Sequence, residues 1–395
     1  MKSPLKLTAL AAVAALTASA LAACGGDSDK PEASATQSDT ATATAADTKT
    51  DVATETDTNT DTDTGTETEA ETPTPAGPEA ADYGSVTEQL SWFKNIEFSG
   101  EYAAIEDGFF AAAGFSAVEL VAGGPTVAPA EVALAAGEAW IGRTSPLLTV
   151  AANEEGSGDF RIIAALYQRN PYALTYASDN PVTSAEDLIG QTVAVPDAAI
   201  VPWNIFLAAN GIDPEQITRV PSTGGDAQEQ IEAGAIATFT YGTGALLAAN
   251  GVPGYEDFLL QDHGVPLVGE ALVVSKETID SERDKVKAFL TAWIQGWNAI
   301  LGDTERAVSL AVDLYGKDAG LETASQTNSW NIQLTEIITD ESLANGIGTI
   351  SQDQLDKNVN SINLGGYSIT ADDLFDVSII NEIYAENPDL KYVQQ

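Results

Sequence analysis

The sequence predicts an α/β body of two lobes around a ligand cleft, with a helical C-terminal tail packed on the first lobe. Three observations lead there. Short apolar runs alternate with helical periods from about residue 86 to residue 275, the pattern of strands joined by right-handed crossovers into parallel sheets. From residue 283 onward the apolar residues keep a helical spacing almost without interruption. A strand near residue 272 lies between these parts. It returns the chain to the first lobe, so two connections join the lobes, and the cleft between them is where a ligand belongs.

The elements follow in order. Val86 to Phe93 reads as the first strand. Ser99, Gly100 and Glu101 start a helix whose apolar face is Tyr102, Ile105, Phe109 and Phe110, and Gly114 ends it. Val118 to Val121 is the next strand, Pro129 to Ala136 a helix, Trp140 to Gly142 a short strand, and Ser145 to Glu154 a helix with Ser145 as its cap. FRIIAALY, residues 160–167, is apolar throughout and fits a strand covered on both faces. Tyr172 to Tyr176 follows as a strand, and Ser184 to Asp187 as a capped turn. Then come a strand at 191–195, a helix at 200–210, strands at 217–220 and 235–241 around a helix at 224–234, and a helix at 244–250. Arg283 to Leu301 is the clearest helix: Val286, Phe289, Leu290, Trp293, Ile294, Trp297 and Ile300 share one stripe. That stripe makes Trp293 and Trp297 core residues. Further helices are expected at 304–315, 321–338, 351–362 and 371–384.

Ahead of this body lie about 80 residues that cannot fold on their own. Residues 1–24 open with Lys2 and Lys6, continue in small apolar residues and end Leu21-Ala22-Ala23-Cys24, as a cleaved export signal does. Residues 25–81 are Asp, Glu, Thr, Ala and Pro, too poor in apolar groups to offset the entropy of ordering. The formal net charge of −42 repels nucleic acid and anionic membrane. Cys24 is the single cysteine and His263 the single histidine. An internal disulfide, a Cys-His nucleophile pair and a His/Cys metal cluster are thereby excluded.

LSWFKNIEFSGEYAAIEDGFFAAAGF, LYQRNPYAL, PVTSAEDLIGQTVAVP, WNIFLAANGIDPEQI, GVPLVGEALVVSKETI and ITADDLFDVSIINEIYAENPDLK together resemble the SsuA/THI5-like (NMT1-like) substrate-binding components of ABC importers. That family takes nitrate, sulfonates, thiamine precursors or riboflavin. The resemblance runs over roughly residues 87 to 391. It implies a periplasmic-binding-protein-like fold of type II, with lobe 1 at about 86–173 plus 272–395 and lobe 2 at about 174–271. It also implies a monomer that hands a small solute to a membrane permease and its ATPase, without a cofactor. Leu21 to Cys24 with Gly25-Gly26 resembles a lipoprotein box. By that resemblance residues 1–23 are the signal peptide, Cys24 carries lipid on the outer face of the membrane, and 24–81 is the tether.

The candidate ligand contacts are Trp92, Asn95, Glu97, Gln168, Arg169, Trp203, Asn204 and Tyr241. Trp92, Tyr167, Trp203 and Tyr241 offer flat walls for a ring, and the thiamine-precursor and riboflavin branches are the nearer ones. Glu97 can take a ring amine or amidine through a charged hydrogen bond, while a helix-end charge is the plainer reading. Asn95 sits beside it. Gln168 and Arg169 follow the buried strand directly, and Arg169 alternatively bridges lobes or meets local carboxylates. Trp203 and Asn204 open a helix whose free amides can hold an acceptor, with packing between lobes as the alternative for Trp203. Gly123-Gly124 reads as a loop needing unusual backbone more than as a ligand approach. Ala237 and Ala245 stand where the resemblance implies carboxylates, which changes the amine or cation the site can satisfy. His263 reads as a locally bonded loop residue, and an enzyme resembling the pyrimidine synthases of this family lacks its histidine and cysteines here. A ligand sensor on the same scaffold is the other rival.

Overall fold

The computed structural model describes residues 81–124, 126–223 and 225–392. The expectations for the leader, for Cys24 and for the tether up to residue 80 lie outside the described residues.

Strands β1 (Gly84–Gln89), β2 (Phe115–Val121), β3 (Ile141–Thr144) and β4 (Phe160–Tyr167) come first. Then follow β5 (Tyr172–Ala177), β6 (Thr192–Ala194), β7 (Thr218–Val220), β8 (Ala237–Tyr241) and β9 (Tyr255–Leu259), before β10 (Gly269–Ser275). They form two five-stranded sheets, ordered β2-β1-β3-β10-β4 and β7-β6-β8-β5-β9. The two orders are the same pattern once the second is counted from β6. Both sheets are mixed, where the alternation of strands and helices predicts parallel ones. β10 runs antiparallel to β3 and β4, and β5 antiparallel to β8 and β9. In each sheet the reversed strand is the one that has just arrived from the other lobe.

The helix Arg283–Ile300 lays its apolar stripe into the first core, with Phe289, Leu290, Trp293 and Trp297 fully buried. Burying a side chain of this size contributes about 1.5–3 kcal/mol. It crosses the helix Ser99–Glu106 at two glycines: a Cβ on Gly296 would lie 2.3 Å from the Gly100 carbonyl oxygen, and one on Gly100 would strike the Trp297 indole. The tail packs on the first lobe and also reaches the second. Leu355 and Ile362 of the helix Gln352–Leu364 join Ile205 and Phe206 in the second core.

Three local expectations differ from the structure. β1 ends at Gln89, and residues 90–95 turn irregularly instead of extending the strand to Phe93. Gly123 donates its N–H to the Trp92 carbonyl at 2.8 Å, and a Cβ there would stand 2.3 Å from the Leu90 oxygen, so this glycine serves close backbone packing. β9 was not expected, because Glu256 and Asp257 interrupt its apolar run. β4 is an edge strand, yet its apolar run is covered. Its outer backbone bonds go to the tail, Ile162 N to Leu374 O at 2.8 Å and Ala165 N to Gly348 O at 2.9 Å, which closes an edge that would otherwise recruit another chain.

Candidate functional site

The chain passes between the sheets twice, at 168–171 and at 260–268. Asn170 ties the two passages together. It is buried, its Nδ2 donates to the carbonyls of Val265 (2.7 Å) and Leu267 (3.1 Å), and its Oδ1 accepts from Tyr172 N. Beside it, Arg169 donates to Gln261 Oε1 at 2.8 Å and pairs with Asp262 at 3.4 Å.

Next to these passages lies a cavity of about 100 Å³. Ile96, Glu97 and Tyr167 close it from the first lobe, Tyr241 and Gly242 from the second, and Gln333 and Glu336 of the tail helix Thr323–Ile337 from the third side. Tyr172 extends the aromatic wall, its ring 5.7 Å from that of Tyr241 and at 75° to it. Gln333 Nε2 donates to the Glu97 carbonyl at 3.3 Å, which fixes the amide so that Oε1 is the free end. Gln333 Oε1 and Glu336 Oε2 are both buried and without a hydrogen-bond partner.

Carboxylates crowd this region. Burial, and then the charge of Glu270, push the Glu97 carboxyl up to about 8. Burial pushes Glu336 up to about 7. Glu270 is raised by burial, with Arg143 and the Ser91 hydroxyl opposing. Ser91 Oγ donates to Glu270 at 3.0 Å, and Arg143 Nε lies 3.5 Å from the same carboxylate. Among the described residues Glu270 is the one non-glycine with left-handed backbone, φ 42°, a conformation that costs free energy and is held by its surroundings. Deeper in the first lobe Arg143 meets Glu101 at 3.2 Å, and Trp293 donates to Glu101 at 2.7 Å. Glu88 is fully buried with neither oxygen bonded, and burial holds its carboxyl well above the ordinary range.

The structure brings four of the residues singled out from sequence to one place: Glu97, Tyr167 and Tyr241 at the cavity, and Arg169 at the adjoining hinge. Trp92 is 37% exposed beside Phe93, with their rings 5.6 Å apart, and does not line the cavity. Asn95 is buried and caps the turn that follows it, accepting from Glu97 N at 2.9 Å. Gln168 is buried as a tie to the tail, donating to Ala165 O and Thr349 O and accepting from Gln354. Trp203 is 3% exposed in the second core, against Phe206, and Asn204 faces outward from the helix Ile200–Ala209. Neither lines the cavity. Ala237 is an interior residue of β8, and Ala245 donates its N–H to Asp257. Asp257, on the unforeseen β9, thus takes the amides at the start of the helix Thr243–Ala249. Glu270, Gln333 and Glu336 were missed. The signal was there in part: Gln333 and Glu336 are polar residues one helical turn apart on a face that is otherwise buried.

Two mixed sheets with the same strand pattern, joined twice and walling a cavity where they meet, define a periplasmic-binding-protein fold. The family described as NMT1/THI5 like matches residues 95–307, more than half of the chain, and the chain belongs to that family. The chain is 25% identical over 239 residues to the riboflavin-binding protein RibY of Chloroflexus aurantiacus, covering 58% of this chain and 65% of that protein, less than two thirds of its length. The periplasmic aliphatic sulphonate binding protein SsuA of Escherichia coli superposes with a TM-score of 0.55 at 15% identity, over 71% of this chain and 91% of its own. The desulfurization enzyme DSZB, in complex with biphenyl-2-sulfinic acid, superposes with a TM-score of 0.51 at 14% identity, over 77% and 99%. Among the described residues no helix is long and apolar enough to cross a membrane.

Proposed function

We propose that this chain is the extracytoplasmic solute-binding component of an ABC importer. It captures a small aromatic or heterocyclic solute and delivers it to a membrane permease and its ATPase, held at the membrane by lipid on Cys24 through the 24–81 tether. The body at 82–395 works as a monomer, with lobe 1 at about 86–173 plus 272–395 and lobe 2 at about 174–271. One observation carries the reading: a cavity between the lobes, walled by Tyr167 and Tyr241 and edged by Glu97. Aromatic walls suit a flat ring, stacking being worth about 0.5–1.5 kcal/mol beyond area burial. A cavity of about 100 Å³ is below the roughly 300–1,000 Å³ of drug-sized sites. It has room for a single ring such as a thiamine-precursor pyrimidine. A three-ring flavin requires the lobes to part.

Catalysis on this fold, as in DSZB, has to be argued from the site, and here the site offers no nucleophile-base pair. His263 stacks on Phe258 at 3.8 Å, away from the cavity. A thermal-shift panel of an aminopyrimidine, riboflavin, an alkanesulfonate and nitrate tests the carrier reading, because a ligand bound only by the folded form raises the melting temperature. The expected result is a shift for the pyrimidine that Tyr167→Ala and Tyr241→Ala remove and His263→Ala keeps. A shift that survives both tyrosine variants would move the site elsewhere.

A further inference from the structure

We infer that the solute carries a cationic N–H donor group, an amidinium or a ring-bound ammonium, seated among Glu97, Gln333 and Glu336 with Tyr167 and Tyr241 against its flat faces. The inference rests on the carrier reading of the cleft and deepens it. Its basis is the sign of the free groups at the cavity. Gln333 Oε1 and Glu336 Oε2 are acceptors, buried and without partners, on residues 5% and 8% exposed that line the cavity. A buried acceptor left without a donor is costly, and each lacks only a donor. Glu97 adds a further carboxyl group to the lining. The nearby guanidinium groups are Arg143, held by Glu101 and Glu270, and Arg169, held by Gln261 and Asp262; neither lines the cavity. Carboxyl groups therefore outnumber guanidinium groups on the cavity wall, and once ionised they repel an oxyanion ligand. The amides at the start of the helix Thr243–Ala249, where an anion could otherwise sit, are taken by Asp257 at 2.9 and 2.8 Å. Among the described residues no group of three or more His, Cys, Asp or Glu is arranged to hold a metal ion, so the cation is organic. Phenol rings beside a desolvated cation add a cation–π attraction.

Three flat probes of one shape and different charge test this on the full chain by calorimetry: benzamidinium, benzamide and benzoate. Benzamidinium should bind about tenfold or more tighter than benzamide, the worth of a hydrogen bond gaining a charge, and benzoate should bind weakest. Glu97→Gln and Glu336→Gln should each erase the preference for benzamidinium over benzamide. Glutamine copies a protonated carboxyl, so these variants keep the ligand-free packing, and the ranking of probes on the unaltered chain needs no variant at all. Equal affinity for benzamide and benzamidinium, or tightest binding of benzoate, overturns the charge assignment and leaves the carrier reading standing. A chain that ignores all three probes but binds riboflavin or an aminopyrimidine does the same. A chain that binds none of these overturns both.

Discussion

A carboxylate with a raised pKa makes the ligand-free protein sensitive to pH in a definite direction. The charged and titratable groups around Glu97 are Glu270 and Arg143, and at the cavity Tyr167, Tyr241 and Glu336. Its carboxyl rises from an ordinary 4.5 to about 8 in the folded state. Between those values the folded form keeps a proton that the unfolded form has lost, so stability falls as pH rises through the window. Thermal unfolding of the ligand-free chain, followed from pH 5 to pH 8, should therefore give a falling midpoint, and Glu97→Gln should flatten the fall. An identical slope in the variant would show that Glu97 does not hold its proton. The sign reverses for a cationic solute, which favours the charged carboxylate: its affinity should climb over the same range. Sequence made Glu97 a candidate through its place in the first loop. It could not mark Glu336 or Glu270, because a carboxylate's role depends on what buries it.

Two contacts between elements set how the lobes are held. The crossing of Ser99–Glu106 with Arg283–Ile300 leaves no room for a methyl group at Gly296. Gly296→Ala forces overpacking, expected to cost about 1–3 kcal/mol and to read as a lower urea midpoint at unchanged slope; a neutral result would mean that the two helices can separate freely. The tail helix Thr323–Ile337 reaches the second lobe through Asn328, whose Nδ2 donates to Ala249 O at 3.0 Å and Asn250 Oδ1 at 2.8 Å. Asn328 does not line the cavity, yet it latches the wall carrying Glu336 to the lobe carrying Tyr241. Asn328→Ala should quicken solute release in stopped-flow fluorescence with little change in the association rate; unchanged release would remove the latch from the account. The long helix was legible from its stripe. β9 was not, since its acidic residues are satisfied by Tyr176, Thr175 and the start of the preceding helix, partners that lie elsewhere in the chain.

At the scale of the whole molecule, the proposed carrier role requires the lobes to move as units about the two passages clamped by Asn170 and Arg169, with the sheets intact. A ligand shifts such an equilibrium only as far as it prefers one arrangement, and the acceptors of the tail helix and Glu97, which sit on the first lobe, meet Tyr241 only when the lobes are together. Saturating solute should therefore reduce the radius of gyration measured by small-angle scattering. No change on binding would place the solute on one lobe alone.

The sequence by itself determined the elements with strong periodicity, the order of lobe, lobe and tail, and the composition that sets residues 25–81 apart from the body. Local pattern suffices for these because an apolar stripe or an uncompensated charge run acts within a few turns of chain. Tertiary structure decided the sense of β5 and β10, the interior position of Trp203, and the acceptor set of Glu97, Gln333 and Glu336. Those depend on burial and pairing between segments far apart in the chain, and neither can be read until the sheets and the tail have met.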